Sequence, residues 1–212
     1  MTSRKDFIDA LNDITLAFPD NQSARRILTG EFELSDYHGL LLSLFHTTYE
    51  GPAISALAAS HLPDGYESAR QALLRNAAQA GNHWEWILDD LTRTGFEGPD
   101  PRTTFPGTEA QAYVAYNYYV AIKAPVARLG VLSVIDAIAA NFGTNYSSRL
   151  FQCLSLRPEQ TTFFYRRPDH AAPREHLIDV LDTVPMSDRD WQWTVNAVRT
   201  AGTLYKAIYD AR

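Results

Sequence analysis

Apolar residues recur at intervals of three and four along most of the chain, the period of a helix with one buried face. Phe7, Leu11, Ile14 and Phe18 form the first such run, and Pro19-Asp20-Asn21 ends it. The spacing predicts a second helix through Tyr37, Leu41, Leu44, Phe45 and Thr48, with Ser35-Asp36 at its N-cap. Gly51-Pro52 should kink or break it, because proline lacks an amide donor and crowds the preceding turn. The pattern resumes through Ile54, Leu57, Ala58 and His61 and stops at the turn Leu62-Pro63-Asp64-Gly65. A third long helix is expected from about Glu67 to Thr94, with Gly95 as its C-cap. Residues 95–107 read as an irregular loop. A fourth helix runs from Thr108 to Lys123, where Ala124-Pro125 interrupts it, and another runs from Val126 to Asn141. Phe142-Gly143-Thr144-Asn145 breaks the period, and shorter helices are expected near 146–156 and 158–166. Two more cover about 173–184 and 187–210. No alternating strand run lies between turn residues, and there is no internal repeat or low-complexity tract. Aromatic residues on both sides of the long loop argue against a domain boundary there. The chain, 1–212, reads as one all-α, bundle-like domain.

Composition narrows the function. Over the 212 residues, 45% hydrophobic and 21% charged content is that of a packed globular protein. A net charge of -6 with no lysine or arginine run excludes nucleic acid and anionic membrane as expected partners. The single cysteine, Cys153, permits no intrachain disulfide, and its place between Phe151 and Leu154 reads as structural. The first residues lack the apolar run of a signal peptide, and no stretch of eighteen apolar residues occurs. The expected location is the cytoplasm.

The candidate chemistry is histidine, carboxylate and tyrosine. His46 and Glu50 stand at i, i+4, Asp90 follows His83 by two turns, and Asp179 follows His176 at i+3. Bundle sites take such groups from facing helices, although polar pairs at helical spacing are more often surface neighbours. Tyr116 and Tyr119 share one helix face within the cluster Tyr113, Tyr116, Tyr118 and Tyr119. Inward tyrosine hydroxyls need partners, so these two, with His46 and Glu50, are candidates for a polar pocket or for satisfied core positions. Nucleophile elbows, phosphate-binding glycine loops, Cys-x-x-Cys pairs and His-Glu-x-x-His motifs are absent.

Four stretches in order resemble the haem-oxygenase-like diiron oxidases, or iron-containing redox enzymes, which share a fold with thiaminase-II-type proteins and the pyrroloquinoline-quinone synthase. Tyr37 to His46, continuing to Gly51-Pro52 and Leu62-Pro63, is similar to the family's Y-x-x-x-L-x-x-x-Y-H helix with its internal proline. His83-Trp-Glu-Trp86-Ile-Leu-Asp-Asp90-Leu91, ending at Gly95, resembles G-H-x-x-W-x-L-x-D-L-x-x-L-G. Tyr116 to Pro125, then Leu129-Gly130 and Asp136, resembles Y-x-Y-Y-x(5)-P-x-x-x-L-G followed by an inward glutamate. His176-Leu-Ile-Asp-Val-Leu-Asp182 resembles the last metal-binding histidine and its helix. The resemblance spans about 35–185 and implies an all-α, haem-oxygenase-like helix bundle.

The departures from the family shape the functional expectation. Gln79, Ala80, Gly81 and Asn82 stand where the family has glutamate before its G-H, and Asp136 replaces its longer inward glutamate. Where the family reads H-x-x-x-D-x-x-H, this chain has Asp169, Pro173 and His176, with His170 one residue from an expected ligand. The resemblance thus implies His83, Asp136 and His176 as catalytic and metal-binding residues, with Asp169 or His170 as a fourth metal ligand. That set is short for two irons. Two histidines and one carboxylate fit one non-haem iron, and the expectation is iron-dependent oxidation of a small organic substrate in specialised biosynthesis. The alternatives are a metal-free hydrolysis, elimination or cyclisation in the same pocket, with Tyr116, Tyr119, His83 and Asp136 as acid, base or orienting groups, and a non-catalytic binding or partner protein. Haem oxygenase itself is disfavoured, because its axial histidine lies on the first helix and the first histidine here is His38 on the second expected one. Trp191, Trp193, Val195, Val198, Leu204, Tyr205, Ile208 and Tyr209 spread over more than one face of the last helix, which predicts a second cover and hence a homodimer.

Overall fold

A computed structural model describes residues 2–164 and 174–211, and, for 174–176, the backbone alone. Among them the chain is helical without strands: α1 (Arg4–Ala17), α2 (Gln22–Thr29), α3 (Leu34–His61), α4 (Glu67–Ala80), α5 (His83–Arg93), α6 (Thr108–Lys123), α7 (Ala127–Leu154), α8 (Arg174–Asp182) and α9 (Asp188–Asp210), with short 3-10 turns at Pro101–Thr103 and Pro158–Gln160. No helix in this set is long and apolar enough to cross a membrane.

Local chemistry fixes the helix ends. Asn21 caps α2 by accepting the Ala24 amide, and Gly30 ends it at φ +74°, a conformation that costs other residues strain. Asp36 accepts the Glu33 amide at 2.7 Å at the start of α3. Ser187 and Asp190 bond reciprocally at the start of α9, and the Tyr66 hydroxyl also donates to Asp190 at 3.0 Å.

The elements differ from the expected ones in five places. Helix α2 fills a stretch where none was expected. Pro52 lies inside a continuous α3, and the expected 67–94 helix is two helices parted at Gly81-Asn82. Helix α7 runs unbroken through Phe142-Gly143-Thr144-Asn145, because Ser147 and Leu150 beyond that stretch are buried and hold it in register. In the expected 158–166 helix, a 3-10 turn occupies 158–160 and only 162–164 are helical among the described residues.

Helix α7 is the centre of the bundle. Its first eight residues, Ala127 to Val134, are all buried, as expected of a helix covered on every side. Helix α9 packs against α7, α1 and α6, while α3 packs against α4, α5 and α6. Two glycines let helices touch at backbone distance. A Cβ on Gly130 would come within 2.7 Å of Thr194 Cγ2, and one on Gly202 within 2.3 Å of Ile14 Cγ2. The tryptophans that suggested a second subunit have ring neighbours inside the chain: Trp191 lies 6.1 Å from Phe7, and Trp193 lies 6.1 Å from Tyr119.

Candidate functional site

A cavity of about 340 Å³ opens between α3, α4, α5, α6, α7, α8 and α9. Helix α3 supplies Thr47, Thr48, Gly51 and Ile54. Pro52 has no amide hydrogen, so the helical donor for the Thr48 carbonyl is missing at this wall. Helix α4 supplies Arg75, Asn76, Gln79 and Ala80, and α5 begins with His83. Tyr113 comes from α6, Tyr205 from α9 and Leu177 from α8. Helix α7 supplies Arg128, Leu132, Ile135, Asp136 and Ala139. A smaller apolar recess of about 40 Å³ adjoins it, sharing Ile135, Ala139 and Tyr205.

His83 and Asp136, read from separate stretches of sequence, therefore face one space. Both are half-buried. His83 is stacked on Trp86, with ring centroids 4.3 Å apart, the contact that i, i+3 spacing on a helix allows. Gln79 and Ala80, which stand where the resembled family has a carboxylate, line the same wall. His176 lies on α8 beside Leu177, but its side chain, like Asp169 and His170, lies outside the described residues.

The other expected pocket residues sit elsewhere. The tyrosines of the cavity are Tyr113 and Tyr205, not Tyr116 and Tyr119. The inward face of α6 is Ala110, Tyr113, Asn117, Val120 and Ala121, which turns Tyr116 and Tyr119 toward the seam with α9. There the Tyr116 hydroxyl accepts from Asn196 at 3.3 Å, and Tyr119 is about half exposed at 47%. His46 and Glu50 lie beside the cavity wall rather than on it. Glu50 accepts the Tyr118 hydroxyl at 2.5 Å, tying α3 to α6 and raising that phenol to about 12, chiefly by burial. Burial lowers His46, against the opposing pull of Glu50.

Asp90, the carboxylate two turns after His83, is a structural acceptor. It is fully buried and accepts the Thr162 amide at 2.7 Å and the Phe163 amide at 2.9 Å. Burial outweighs those bonds and pushes its carboxyl up to about 6. The Phe163 it holds lines the cavity. His38, on α3, is also occupied structurally, sharing a hydrogen bond of 2.9 Å with the Thr94 hydroxyl beside Phe96.

Sequence reasoning missed Arg128. It is 4% exposed, lines the cavity, and donates from Nη1 to the Asn117 side-chain oxygen. Asn117 in turn donates to the Tyr113 carbonyl at 2.8 Å. A lone arginine after Pro125 reads as a surface residue. The one available signal is its place in an otherwise apolar run from Val126 to Leu132.

A helical bundle with a largely apolar cavity that carries a few polar groups is the class of protein defined here. The particular architecture is the haem-oxygenase-like fold. No family model matches the sequence, and no curated protein matches it. Solved structures do. A domain of unknown function with a heme oxygenase-like fold from Shewanella denitrificans matches at TM-score 0.86 and 18% identity, covering 99% of this chain and 91% of that one. A TenA homologue from P. horikoshii matches at 0.76 and 13%, covering 99% and 97%. Heme oxygenase from Leptospira interrogans matches at 0.66 and 16%, covering 99% of each.

Among the described residues no group of three His, Cys, Asp or Glu side chains comes together to hold a metal ion. His83 and Asp136 alone fall short of the three-donor set that an open iron site needs.

Proposed function

We propose that the protein is an enzyme that holds a small organic molecule in this cavity and acts on it by proton transfer, with His83 and Asp136 as the acting pair. The observation that carries the reading is that His83 and Asp136, from α5 and α7, line the same cavity. Imidazole titrates near neutrality and passes protons in either direction, and a carboxylate beside the same substrate serves as base or orienting group. The apolar walls from Ile54, Leu132, Ile135 and Phe163 exclude water from the molecule. Hydrolysis, elimination and cyclisation all fit such a pair.

The test is turnover of a panel of small organic compounds under exhaustive chelation, read by mass spectrometry. Turnover that persists in chelator and falls at least a hundredfold in both His83→Asn and Asp136→Asn is expected. Turnover that requires added ferrous iron would overturn the metal-free chemistry. A ligand that binds and is always released unchanged would assign a binding role instead.

One observation favours a second reading. Leu177, the neighbour of His176, lines the cavity, so α8 reaches the wall that carries His83 and Asp136. His176 would then be the third ligand of one iron, which would supply oxygen chemistry when bound. Stoichiometric ferrous binding under anaerobic conditions, lost in His83→Ala and His176→Ala, is what this second reading requires.

A further inference from the structure

Arg128 is the one buried cation among the described residues. None of the ion pairs among them includes it. One Nη1 bond goes to the neutral Asn117 amide, the Tyr113 side chain is a second hydrogen-bonding partner, and Nε has none among the described residues. A guanidinium stays charged at any physiological pH. A buried charge with neither counter-ion nor full hydrogen bonding is strongly unfavourable. The residue lines the cavity and has no carboxylate partner among the described residues, so an anionic ligand there can supply the counter-charge.

We infer that Arg128 anchors the carboxylate of the cavity's ligand, which is a small organic monoacid with an apolar or aromatic body. The inference rests on the proposal that the cavity holds a small organic molecule, and it deepens that proposal. A planar guanidinium matches a carboxylate edge to edge. One buried guanidinium balances a monoanion, whereas the only other arginine on the wall, Arg75, is exposed. Tyr113, Tyr205, Phe163, Leu132 and Ile135 around it suit a hydrocarbon or aryl body. Asp136 lies eight residues further along the same helix, about 12 Å by helical rise. Its negative charge disfavours the acid end there, so the ligand enters with its carboxylate at Arg128 and its body toward Asp136 and His83.

Calorimetric titration of the native full chain with 3-phenylpropanoate and 4-phenylbutanoate, each beside its primary amide, tests this. The acids are expected to bind at least tenfold more tightly than the amides. Arg128→Met should erase the preference, and its melting temperature without ligand should not fall, because an uncompensated buried charge has been removed. Should Arg128→Met fail to fold, Arg128→Lys takes its place and is expected to reduce the preference, since it keeps the charge without the planar fork. Acids and amides binding equally would overturn the carboxylate anchor and leave the small-molecule cavity standing. Inorganic phosphate displacing the acids at equal or lower concentration would also overturn it. Failure of every acid and amide to bind would overturn the anchor and count against the cavity reading as well.

Discussion

Asp90 accepts the backbone amide of Phe163 at 2.9 Å, and the ring of Phe163 forms part of the cavity wall. The carboxylate sits on α5 two turns from His83, so one short helix both presents a candidate acting group and fixes part of the cavity wall. Asp90 is thus a positioning residue.

Asp90→Ala leaves the buried amides of Thr162 and Phe163 without this acceptor. The expected loss is about 2–4 kcal/mol, or roughly 6–12 °C in melting temperature for a chain of this size. Thermal unfolding by circular dichroism checks it. A change under about 2 °C would show that these amides find other partners.

The same residue predicts a pH signature. Its folded carboxyl lies at about 6, above the ordinary 3.8, so the folded state binds the proton more tightly. The stability this contributes is fully present below about pH 3.8 and is lost as pH rises through about 6. Exposed carboxylates lowered by their partners, such as Asp6, Asp20 and Asp100, act in the opposite sense and cancel in a comparison with a variant. The stability of the native protein minus that of Asp90→Asn should therefore fall between pH 4 and pH 7, by up to about 3 kcal/mol. Denaturant titrations at both pH values measure it, and a difference that rises with pH would contradict the assignment.

Gly130→Ala places a methyl group against Thr194 and Val198, at 2.7 and 3.2 Å. The expected cost is about 1–3 kcal/mol. Thr194→Ser removes the nearer methyl and should recover part of that cost in the double variant, a coupling that denaturant unfolding can measure.

Ala80→Glu adds a carboxylate to the wall that carries His83 and Asp136. Three donors then share one space, and cobalt(II) affinity should rise at least tenfold over the native protein, read by its visible absorption. No change would mean that position 80 points away from the other two.

The helical class and the order of the long helices were legible because period-3.6 patterning is clear in α1 and α9, while α3 and α6, apolar on more than one face, still show no strand alternation. Interruptions were less so. Gly51-Pro52 predicts a kink or a break, yet burial of Ile54, Ser55 and Ala58 beyond it keeps α3 continuous. The parting at Gly81-Asn82 was hidden because apolar and small residues continue through it without a proline. His83 and Asp136 were found through a resemblance, not through local spacing. Tyr113 was passed over for Tyr116 and Tyr119 because α6 is aromatic on two faces, and only the small residues Ala110 and Ala121 with Asn117 mark the inward one. Arg128 was invisible for the opposite reason: burial of a cation contradicts its type, and only the tertiary structure reveals it.

The account depends most on one cavity in which His83 and Asp136 face the same bound molecule. A crystal structure of the protein grown with 4-phenylbutanoate tests this directly. The account predicts ligand density inside the bundle, with His83 and Asp136 within about 4 Å of it, the range of direct contact. A cavity closed by its own side chains, with His83 and Asp136 turned to solvent, would contradict it.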